Sequence, residues 1–440
     1  MNPPRMTIPP ELRQRILFTI LIMVIYRLGV AVPTPGVDGT AVFNFFKQNS
    51  GGLFGLFNTF TGGALQKFSV FALGIMPYIS ASIIFQLLET AVPHLEQLKK
   101  EGEQGRKKIT QYTRYATVLL AIVQGYAMAT WLIKSPAPGR PIVSTPYFGI
   151  HFLSFQLMTI ITLTAGTVFI MWLGEQIDEK GVGNGSSLII FAGIAAGIPP
   201  GATKLWKMVS SGEMSIMVSF LLIVGMLTVI AIIVFLEVGQ RRVPIQYSQR
   251  GPGRMAMQTP SSFLPLKINF ANVIPPIFAS SLLLFPATVA RFVDTPWIRN
   301  LQNSLTPSGG IYNIAYVVLI VFFCFFYTEI AFNPTEVSDN LKKWGGFIPG
   351  IRAGRSTTEY IVTVLNRLTV AGAIYLCAIC VLPGMLIQYV HVPFFFGGTT
   401  VLILVGVALD TSQQIQSHMI TAKYEGVMKG VKFRSRRVTY

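Results

Sequence analysis

Charged residues are scarce in this 440-residue chain, where 12% of the residues are Asp, Glu, Lys or Arg and 51% are hydrophobic. Soluble domains usually carry about 25% charged residues, so this balance argues against a soluble enzyme. Acidic residues are the rarer sign, with 18 Asp and Glu against 35 Lys and Arg, which leaves a net charge of +17. Three Cys are too few for a disulfide scaffold, and 40 Gly with 27 Pro argue against a simple coiled coil. Most of the chain is therefore expected to lie in lipid.

Sequence signatures of catalysis and metal binding are also missing. The four His residues are scattered without a second ligand three or four positions away, and neither Gly-x-Ser-x-Gly nor His-Glu-x-x-His occurs. Cys377 and Cys380 have the spacing of a redox pair, but they lie in an apolar run where a thiol would not ionise. We therefore expect no enzyme activity, no metal and no cofactor.

Ten apolar runs are candidates for membrane crossings, because a helix needs about 20 residues to span a ~30 Å hydrocarbon layer. The fifth has a short apolar core and is also compatible with a buried core helix or a half-crossing. Nothing at the first run resembles a cleaved signal peptide. The predicted crossings are 16–34, 68–92, 113–133, 152–174, 186–199, 214–237, 268–291, 311–332, 366–388 and 398–420.

Lys and Arg are distributed unevenly around these runs. Most of the 35 fall in the two ends of the chain and in every second loop, which the positive-inside rule assigns to the cytoplasm. Both termini are then predicted to be cytoplasmic. Without a fifth crossing, the basic loops 238–267 and 333–365 would face outward, so the charge distribution favours a crossing there.

Residues 71–85 resemble residues 269–285 when Pro77 is placed over Pro275. Copies separated by five crossings run in opposite directions through a membrane, and such inverted repeats place the working site between the two halves. Chance similarity between two apolar stretches is the alternative. The repeat predicts two inverted five-helix halves, residues 1–205 and 206–440.

The two long basic loops have features beyond charge. In the first, the runs VPIQY and RMAMQ flank a Gly-Pro-Gly turn at 251–253, which predicts a β-hairpin. The second begins as a helix that Gly345 and Gly346 end, and it then presents Arg352 between glycines. Such loops either only set the orientation of the chain or bind an acidic or phosphate-rich partner from the cytoplasm.

On the predicted outer side, residues 35–67 form an apolar stretch that contains the glycine pairs 51–52 and 62–63, and its helical part at 53–67 is too short to cross a membrane. The pattern is compatible with a small helix that folds back into the bundle, and equally with an amphipathic helix on the membrane surface.

Ionisable residues inside the predicted crossings are few and lie toward helix ends, namely Arg27, Glu329 and Asp410. An ion-coupled transporter, which inverted repeats also suit, would need more of them at mid-depth. A membrane-embedded enzyme would need a nucleophile, metal ligands or paired carboxylates in one crossing, and none is visible in the sequence. A passive channel is therefore favoured.

Seven segments of the chain are distinctive. They are TGGALQKFSVFALGIMPYISASII (61–84), KKEGEQGRKKITQYTRY (99–115), MWLGEQIDEKGVGNGSSLIIFAGI (171–194), INFANVIPPIFASSLLLFPAT (268–288), FFCFFYTEIAFNP (322–334), LKKWGGFIPGIRAG (341–354) and VPFFFGGTTVLI (392–403). In these segments the chain resembles the bacterial form of the SecY/Sec61-alpha family, the central channel subunits of the Sec protein translocase. The resemblance covers essentially the whole chain.

The resemblance implies an all-α polytopic membrane protein whose ten transmembrane helices form two inverted halves around an hourglass pore. This channel would pass unfolded secretory polypeptides across the membrane and release apolar segments sideways into lipid. The implied pore ring is Ile75, Ile79, Ser186, Ile190, Ile277 and Ile403, where Ser186 replaces the usual branched aliphatic residue. The implied plug is the helix at about 53–67, with Leu53, Phe54, Leu56, Phe57 and Phe60. The implied lateral gate is Ser80, Gln124, Asn269 and Phe285.

The resemblance also implies partners and a location. The basic loops would dock the SecA motor ATPase or the ribosome, through Arg242, Arg250, Arg254, Lys342, Lys343 and Arg352. Other implied partners are the SecE and SecG subunits, signal peptides, nascent chains and membrane lipid. The expected location is the bacterial cytoplasmic (inner) membrane, with both termini in the cytoplasm.

Overall fold

The structure is a computed structural model that describes residues 9–48, 53–134, 143, 154–247, 262–289, 310–390 and 397–430. These residues are mostly helical. The helices are α1 (Pro10–Val30), α2 (Gly39–Gln48), α3 (Leu53–Phe60), α4 (Met76–Ala91), α5 (Pro93–Lys100), α6 (Glu103–Lys134), α7 (Phe155–Lys180), α8 (Gly185–Ala195), α9 (Ile198–Ser210), α10 (Ile216–Val238), α11 (Ile274–Val289), α12 (Gly310–Ala331), α13 (Pro334–Lys343), α14 (Arg355–Val390) and α15 (Gly398–Gly430). The strands are β1 (Gln240–Tyr247), β2 (Ser262–Lys267) and β3 (Gly346–Phe347).

Within the described residues, six helical stretches are long and apolar enough to cross a membrane. The other four predicted crossings coincide with α1, α4, α11 and α15, so each predicted crossing has a helix at its place. With 16 residues each, α4 and α11 are about 24 Å long at 1.5 Å per residue, which is shorter than the hydrocarbon layer. The six stretches are Glu103–Ile133, Phe155–Lys180, Gly185–Ser210, Ile216–Val238, Gly310–Lys343 and Arg355–Val381.

The second predicted crossing is helical only in part. Residues 61–75 form turns, and the helix begins at Met76, whereas the sequence predicted a crossing from residue 68. Ala64, Leu65 and Phe68 are fully buried in this segment. Irregular backbone is tolerated at membrane depth only where protein surrounds it, and here α1, α7 and α8 do so. Hydropathy cannot distinguish such a buried apolar loop from an apolar helix.

The two repeated segments share an unusual backbone conformation. In α4 a proline occupies the second helical position, Pro77, and the residue three positions earlier, Gly74, has a φ of 58°. In α11 Pro275 is likewise the second residue, and Asn272, three positions earlier, has a φ of 49°. Left-handed backbone is uncommon for residues other than glycine. Its recurrence at matched positions supports an internal repeat over chance similarity.

The fifth predicted crossing is made of two consecutive helices. α8 has 11 residues, with Leu188, Ile189, Ile190 and Ile194 buried, and it ends at Ala195. α9 follows after two turn residues and has no buried side chain. α8 is thus buried in the core, and together with α9 it forms the stretch Gly185–Ser210, which is long enough for the crossing that the charge distribution favours.

The long basic loops form a small sheet with the strand order β2-β1-β3. β1 and β2 are antiparallel, with Val243 opposite Leu264, and β3 pairs with the far end of β1. β1 begins before the predicted run VPIQY and includes it, and its described partner strand is 262–267. The predicted run RMAMQ at 254–258 and the predicted turn lie outside the described residues. The sheet has its own small core with α14, in which Val243, Leu266, Ile348 and Ile361 are buried.

Candidate functional site

The five isoleucines assigned to the pore ring all lie in one hydrophobic core, and each is at most 6% exposed. Ile75 and Ile79 lie at the start of α4, and Ile190, Ile277 and Ile403 lie in α8, α11 and α15. The set therefore draws on both predicted halves of the chain. Branched aliphatic side chains offer water and ions no hydrogen-bond partner, so this part of the core resists hydration.

Ser186, the remaining residue of the predicted ring, is half-buried in the first turn of α8. Its hydroxyl donates to Oδ1 of Asn184 across 2.7 Å, and the same oxygen accepts from the backbone N–H of Ser187 at 3.0 Å. Asn184 is thus the N-cap of α8, and Ser186 contributes its hydroxyl to the capping network. The hydroxyl has a protein partner one helical turn before Ile190.

Among the described residues, the two predicted halves contact each other both at α11 and at α15. At the first, Met76 of α4 and Ser281 of α11 are both buried, and the serine Oγ lies 4.0 Å from the methionine sulfur. At the second, the turn between α7 and α8 contacts α15, where the N–H of Gly183 donates to Oε1 of Gln414 at 2.9 Å. Both contacts involve helices that carry the buried isoleucines, α4 and α11 at the first and α15 at the second.

The helix assigned to the plug, α3, is folded into the bundle. Phe57 and Phe60 are buried in the main core, which favours the folded-back helix over the amphipathic helix on the surface. The N–H of Gln66 in the turn that follows donates to Oδ1 of Asn58 at 3.0 Å, so turn and helix are held together. Leu53, Phe54 and Leu56 belong to the same helix, but their side chains lie outside the described part of the chain.

The C-terminal end of α3 packs directly on α8. A Cβ added to Gly193 of α8 would lie 3.2 Å from the carbonyl oxygen of Phe60. A Cβ added to Gly62 would lie 2.5 Å from Cα of Gly193, closer than such atoms approach. Glycine at both positions therefore permits the backbone contact between α8 and the segment that follows α3.

The residues assigned to the lateral gate lie on three helices and on the segment before the third of them. Ser80 of α4 and Gln124 of α6 are half-buried, and both helices contact α11. Phe285 belongs to α11, but its side chain lies outside the described part. α11 also packs on α12, so the helices of the predicted gate are in contact with one another.

Asn269, the remaining residue assigned to the lateral gate, is buried and hydrogen-bonded. It is 3% exposed, and its Nδ2 donates to Oε1 of Glu237 at 2.8 Å and to the carbonyl of Asn272 at 2.9 Å. Asn272 in turn donates to Asp410 of α15 at 3.2 Å. These residues form a polar cluster where α10, α11 and α15 meet, and the amide of Asn269 is committed to it.

Sequence reasoning missed two ionisable residues of structural importance. Glu237 is 6% exposed as the penultimate residue of α10, and the only sequence signal was a carboxylate at the end of a long apolar run. Glu175 of α7 receives two hydrogen bonds from Arg114 of α6, at 2.7 and 2.9 Å. Such paired geometry between distant residues is not visible in sequence spacing.

The predicted docking residues that the structure describes are exposed on the small sheet and the adjoining helix and loop. Arg242 lies on β1 and covers the ring of Phe263 at 4.8 Å from its centroid, which is a cation–π contact. Lys342 and Lys343 end α13, and Arg352 is exposed in the loop before α14. Arg250 and Arg254 lie outside the described residues.

The loop that carries Arg352 is held in a defined conformation. Gly350 and Gly354 on either side have φ values of 81° and 104°, which other residues rarely adopt. The hydroxyl of Thr357 donates to the carbonyl of Arg352 at 3.0 Å, and Ser338 of α13 donates to the carbonyl of Gly354 at 3.0 Å. Because its backbone is fixed on both sides, the exposed guanidinium projects from an ordered loop.

Together, the many apolar helices, the buried isoleucine core shared between two repeated segments and the exposed basic sheet define a polytopic membrane protein. A family model described as SecY matches residues 69–412. The chain belongs to the SecY family.

Relatives cover nearly the whole chain. It is 47% identical over 426 residues to the protein translocase subunit SecY of Pseudomonas aeruginosa, which spans 95% of this chain and 93% of that protein. It is 45% identical over 423 residues to the protein translocase subunit SecY of Escherichia coli K12, with 95% and 94% covered.

Solved structures with the same fold are more distant in sequence. One described as a protein conducting channel has a TM-score of 0.68 at 18% identity, and one concerning the plug domain of SecY in the closed channel has 0.67 at 19%. Sec61 in the canine ribosome–channel complex has 0.64 at 18%. Each covers 93% of this chain and is covered over 93% of its own length.

Proposed function

We infer that this protein is the channel subunit of a protein translocase, which passes unfolded polypeptides across the membrane and releases apolar segments sideways into lipid. The observation that carries the inference is the common core formed by Ile75, Ile79, Ile190, Ile277 and Ile403. Its members come from both repeated segments and from two further helices, so separating the halves would open the molecule there. The names of the bacterial relatives agree with this function.

An apolar constriction suits a channel for arbitrary sequences. Strong binding groups would trap some substrates, whereas a water-repelling ring blocks ions at rest and offers a moving chain nothing to bind. We propose that the five isoleucines form this ring with Ser186. The hydroxyl of Ser186 donates its hydrogen bond to Asn184, so it is not a free polar group within the proposed ring.

We propose that α3 is the plug of the closed channel. Phe57 and Phe60 belong to the same core as the ring isoleucines, and α3 packs on α8, which carries Ile190. Leu53, Phe54 and Leu56 belong to the proposed plug by their place in the same helix. An advancing polypeptide would displace α3 and expose the ring.

We propose that the lateral gate lies between α4 and α6 on one side and α11 and α12 on the other. Ser80, Gln124, Asn269 and Phe285 are its candidate residues, and the contact between Met76 and Ser281 lies along the same seam. Hydrogen bonds inside membranes contribute only about 1 kcal/mol each. A seam of apolar contacts with few such bonds can therefore yield to an arriving signal helix.

We propose that the energy for transport comes from partners that dock on the basic sheet. Arg242, Lys342, Lys343 and Arg352 offer exposed cations for ribosomal RNA phosphates or for acidic groups of SecA, with Arg250 and Arg254 near the predicted hairpin tip. SecE and SecG are the proposed partner subunits. One structure with a similar fold is described as Sec61 in the canine ribosome–channel complex, which agrees with docking of this kind.

We propose the bacterial inner membrane as the location, with both termini in the cytoplasm and the halves divided near residue 205. The charge distribution supports this orientation, because the basic sheet and the basic ends then share one side.

Photo-crosslinking to a stalled precursor tests the channel function. A photoreactive amino acid at Ile79 or Ile277 in the full translocase should crosslink to a precursor halted during transport. Leu221 of α10, 70% exposed, and Ile374 of α14, 66% exposed, are matched control positions in apolar helices. Crosslinks at the control positions but none at the two ring positions would refute a path through this core.

A further inference from the structure

Arg27 is a cation that the sequence places inside the first crossing, where a charge is costly unless it has a partner. In the structure it is half-buried on α1, and its Nη1 donates to the carbonyl oxygen of Gly62 at 3.0 Å. The preceding residue, Tyr26, is 1% exposed and donates from its hydroxyl to the carbonyl of Thr61 at 3.2 Å. Two adjacent side chains of α1 thus hold two adjacent carbonyls of a segment 35 residues away.

Thr61, Gly62 and Gly63, which we name the plug hinge, follow directly after α3. Gly62 and Gly63 have φ values of 63° and 87°, so the chain reverses there. The last carbonyls of a helix lack partners within the helix, and the negative end of the helix dipole attracts a cation. The carbonyls of Phe57, Asn58 and Thr59 accept from backbone N–H groups of the turn that follows. Arg27 instead binds the carbonyl of Gly62, two residues beyond α3, and so places its charge near the negative end of that helix.

The plug hinge is also confined on its other side. A Cβ on Gly62 would lie 2.9 Å from Nη1 of Arg27 and 2.5 Å from Cα of Gly193 on α8. The hinge is therefore held between α1 and the helix that carries Ile190. Movement of α3 away from the core requires rotation at this hinge, which would break both hydrogen bonds and leave the guanidinium without its carbonyl.

We propose that Tyr26 and Arg27 act as positioning residues, a latch that keeps the plug hinge against α1 in the resting channel. The proposal rests on the proposed function only because it calls α3 a plug. The contacts of Tyr26 and Arg27 with the plug hinge do not depend on that assignment. Releasing the latch shifts the equilibrium toward conformations in which α3 has left the core.

Amide hydrogen exchange in the complete translocase, reconstituted in lipid nanodiscs, tests the latch without any transport assay. Arg27→Met removes the donors and keeps an apolar stem, while Tyr26→Phe removes only the hydroxyl and keeps the ring stacked on Phe71 at 5.9 Å. In both variants, amides of residues 53–68 should exchange about tenfold faster, because the lost bond is buried and, for Arg27, charged. Arg13→Met, the same change at an exposed position of α1, should leave exchange unaltered.

Peptides from α4 serve as the internal standard. Unchanged exchange at 53–68 in both latch variants would overturn the proposal, and so would an equal rise in α4, which would indicate general loosening. Resting ion conductance separates this proposal from the proposed function. Faster exchange at 53–68 with unchanged conductance would support the latch and remove the sealing role of α3.

Discussion

The amide of Asn269 lies 2.8 Å from a carboxylate oxygen of Glu237, and both side chains are almost completely buried. The pair joins the end of α10 to the segment between β2 and α11. Since α11 carries Ile277 and belongs to the proposed gate, this contact helps to position the start of that helix relative to the basic sheet. Asn269 therefore has a structural task in addition to the gate role predicted for it.

Breaking this pair should destabilise the protein. Asn269→Ala leaves a buried carboxylate without its donor, with an expected loss of about 1–3 kcal/mol in the free energy of unfolding. Thermal unfolding of the purified complex should show a lower Tm for Asn269→Ala and for Glu237→Ala. The double variant should lose less than the sum of the two, because the single changes remove the same interaction.

Two results would contradict this account of Asn269. Strictly additive losses would indicate that the two side chains do not interact. An unchanged Tm in Asn269→Ala, combined with relaxed discrimination of signal sequences, would instead support its role in the lateral gate.

Opening the isoleucine core should make the resting channel leak. Replacing Ile79 and Ile277 by Gly removes two buried branched side chains and leaves space that water can enter. Conductance across planar bilayers should rise without any precursor present. Ile314→Gly on α12 is the control, because it carries the same helix penalty of about 1 kcal/mol at a position that is 68% exposed. A leak of equal size in the control would show that helix weakening, rather than the ring, explains the conductance.

Reversing the charge of Arg352 should abolish SecA-driven export while the protein stays inserted and stable. The side chain is exposed and the loop backbone is held by Thr357 and by Ser338, so Arg352→Glu changes the surface and not the fold. Export of a secretory precursor into vesicles measures the effect. Arg355→Glu is the control within the same segment, because Arg355 is 94% exposed and pairs with Glu359 at 3.1 Å. Normal export by Arg352→Glu would remove this arginine from the docking surface.

Deleting the plug should have different effects according to where the deletion ends. Removing 53–60 takes away α3 and should raise resting conductance and admit precursors with defective signal sequences. Extending the deletion to residue 67 also removes Ala64 and Leu65, which are fully buried, and should lower the Tm of the complex. Unaltered conductance and selectivity after the shorter deletion would contradict the plug assignment. Equal Tm values for the two deletions would contradict the structural role of 61–67.

Several elements were predictable because local chemistry decides them. The helix that Gly345 ends, the ordered position of Arg352 between glycines and the first strand of the basic hairpin were all predicted. The repeated Pro77 and Pro275 were also visible, although the left-handed residues before them were not.

The sequence by itself determined that the chain is a membrane protein with many apolar helices and that it belongs to a family of channels, and it predicted that the basic loops share one side. Hydropathy, charge and residue identity are properties of single positions or short windows, so they survive without a structure. Only the tertiary structure decided that 61–75 is a buried loop, that Asn269 binds Glu237 and that Arg27 binds the carbonyl of Gly62. Those outcomes depend on which polar groups find partners far along the chain once water is excluded, and no local pattern encodes that choice.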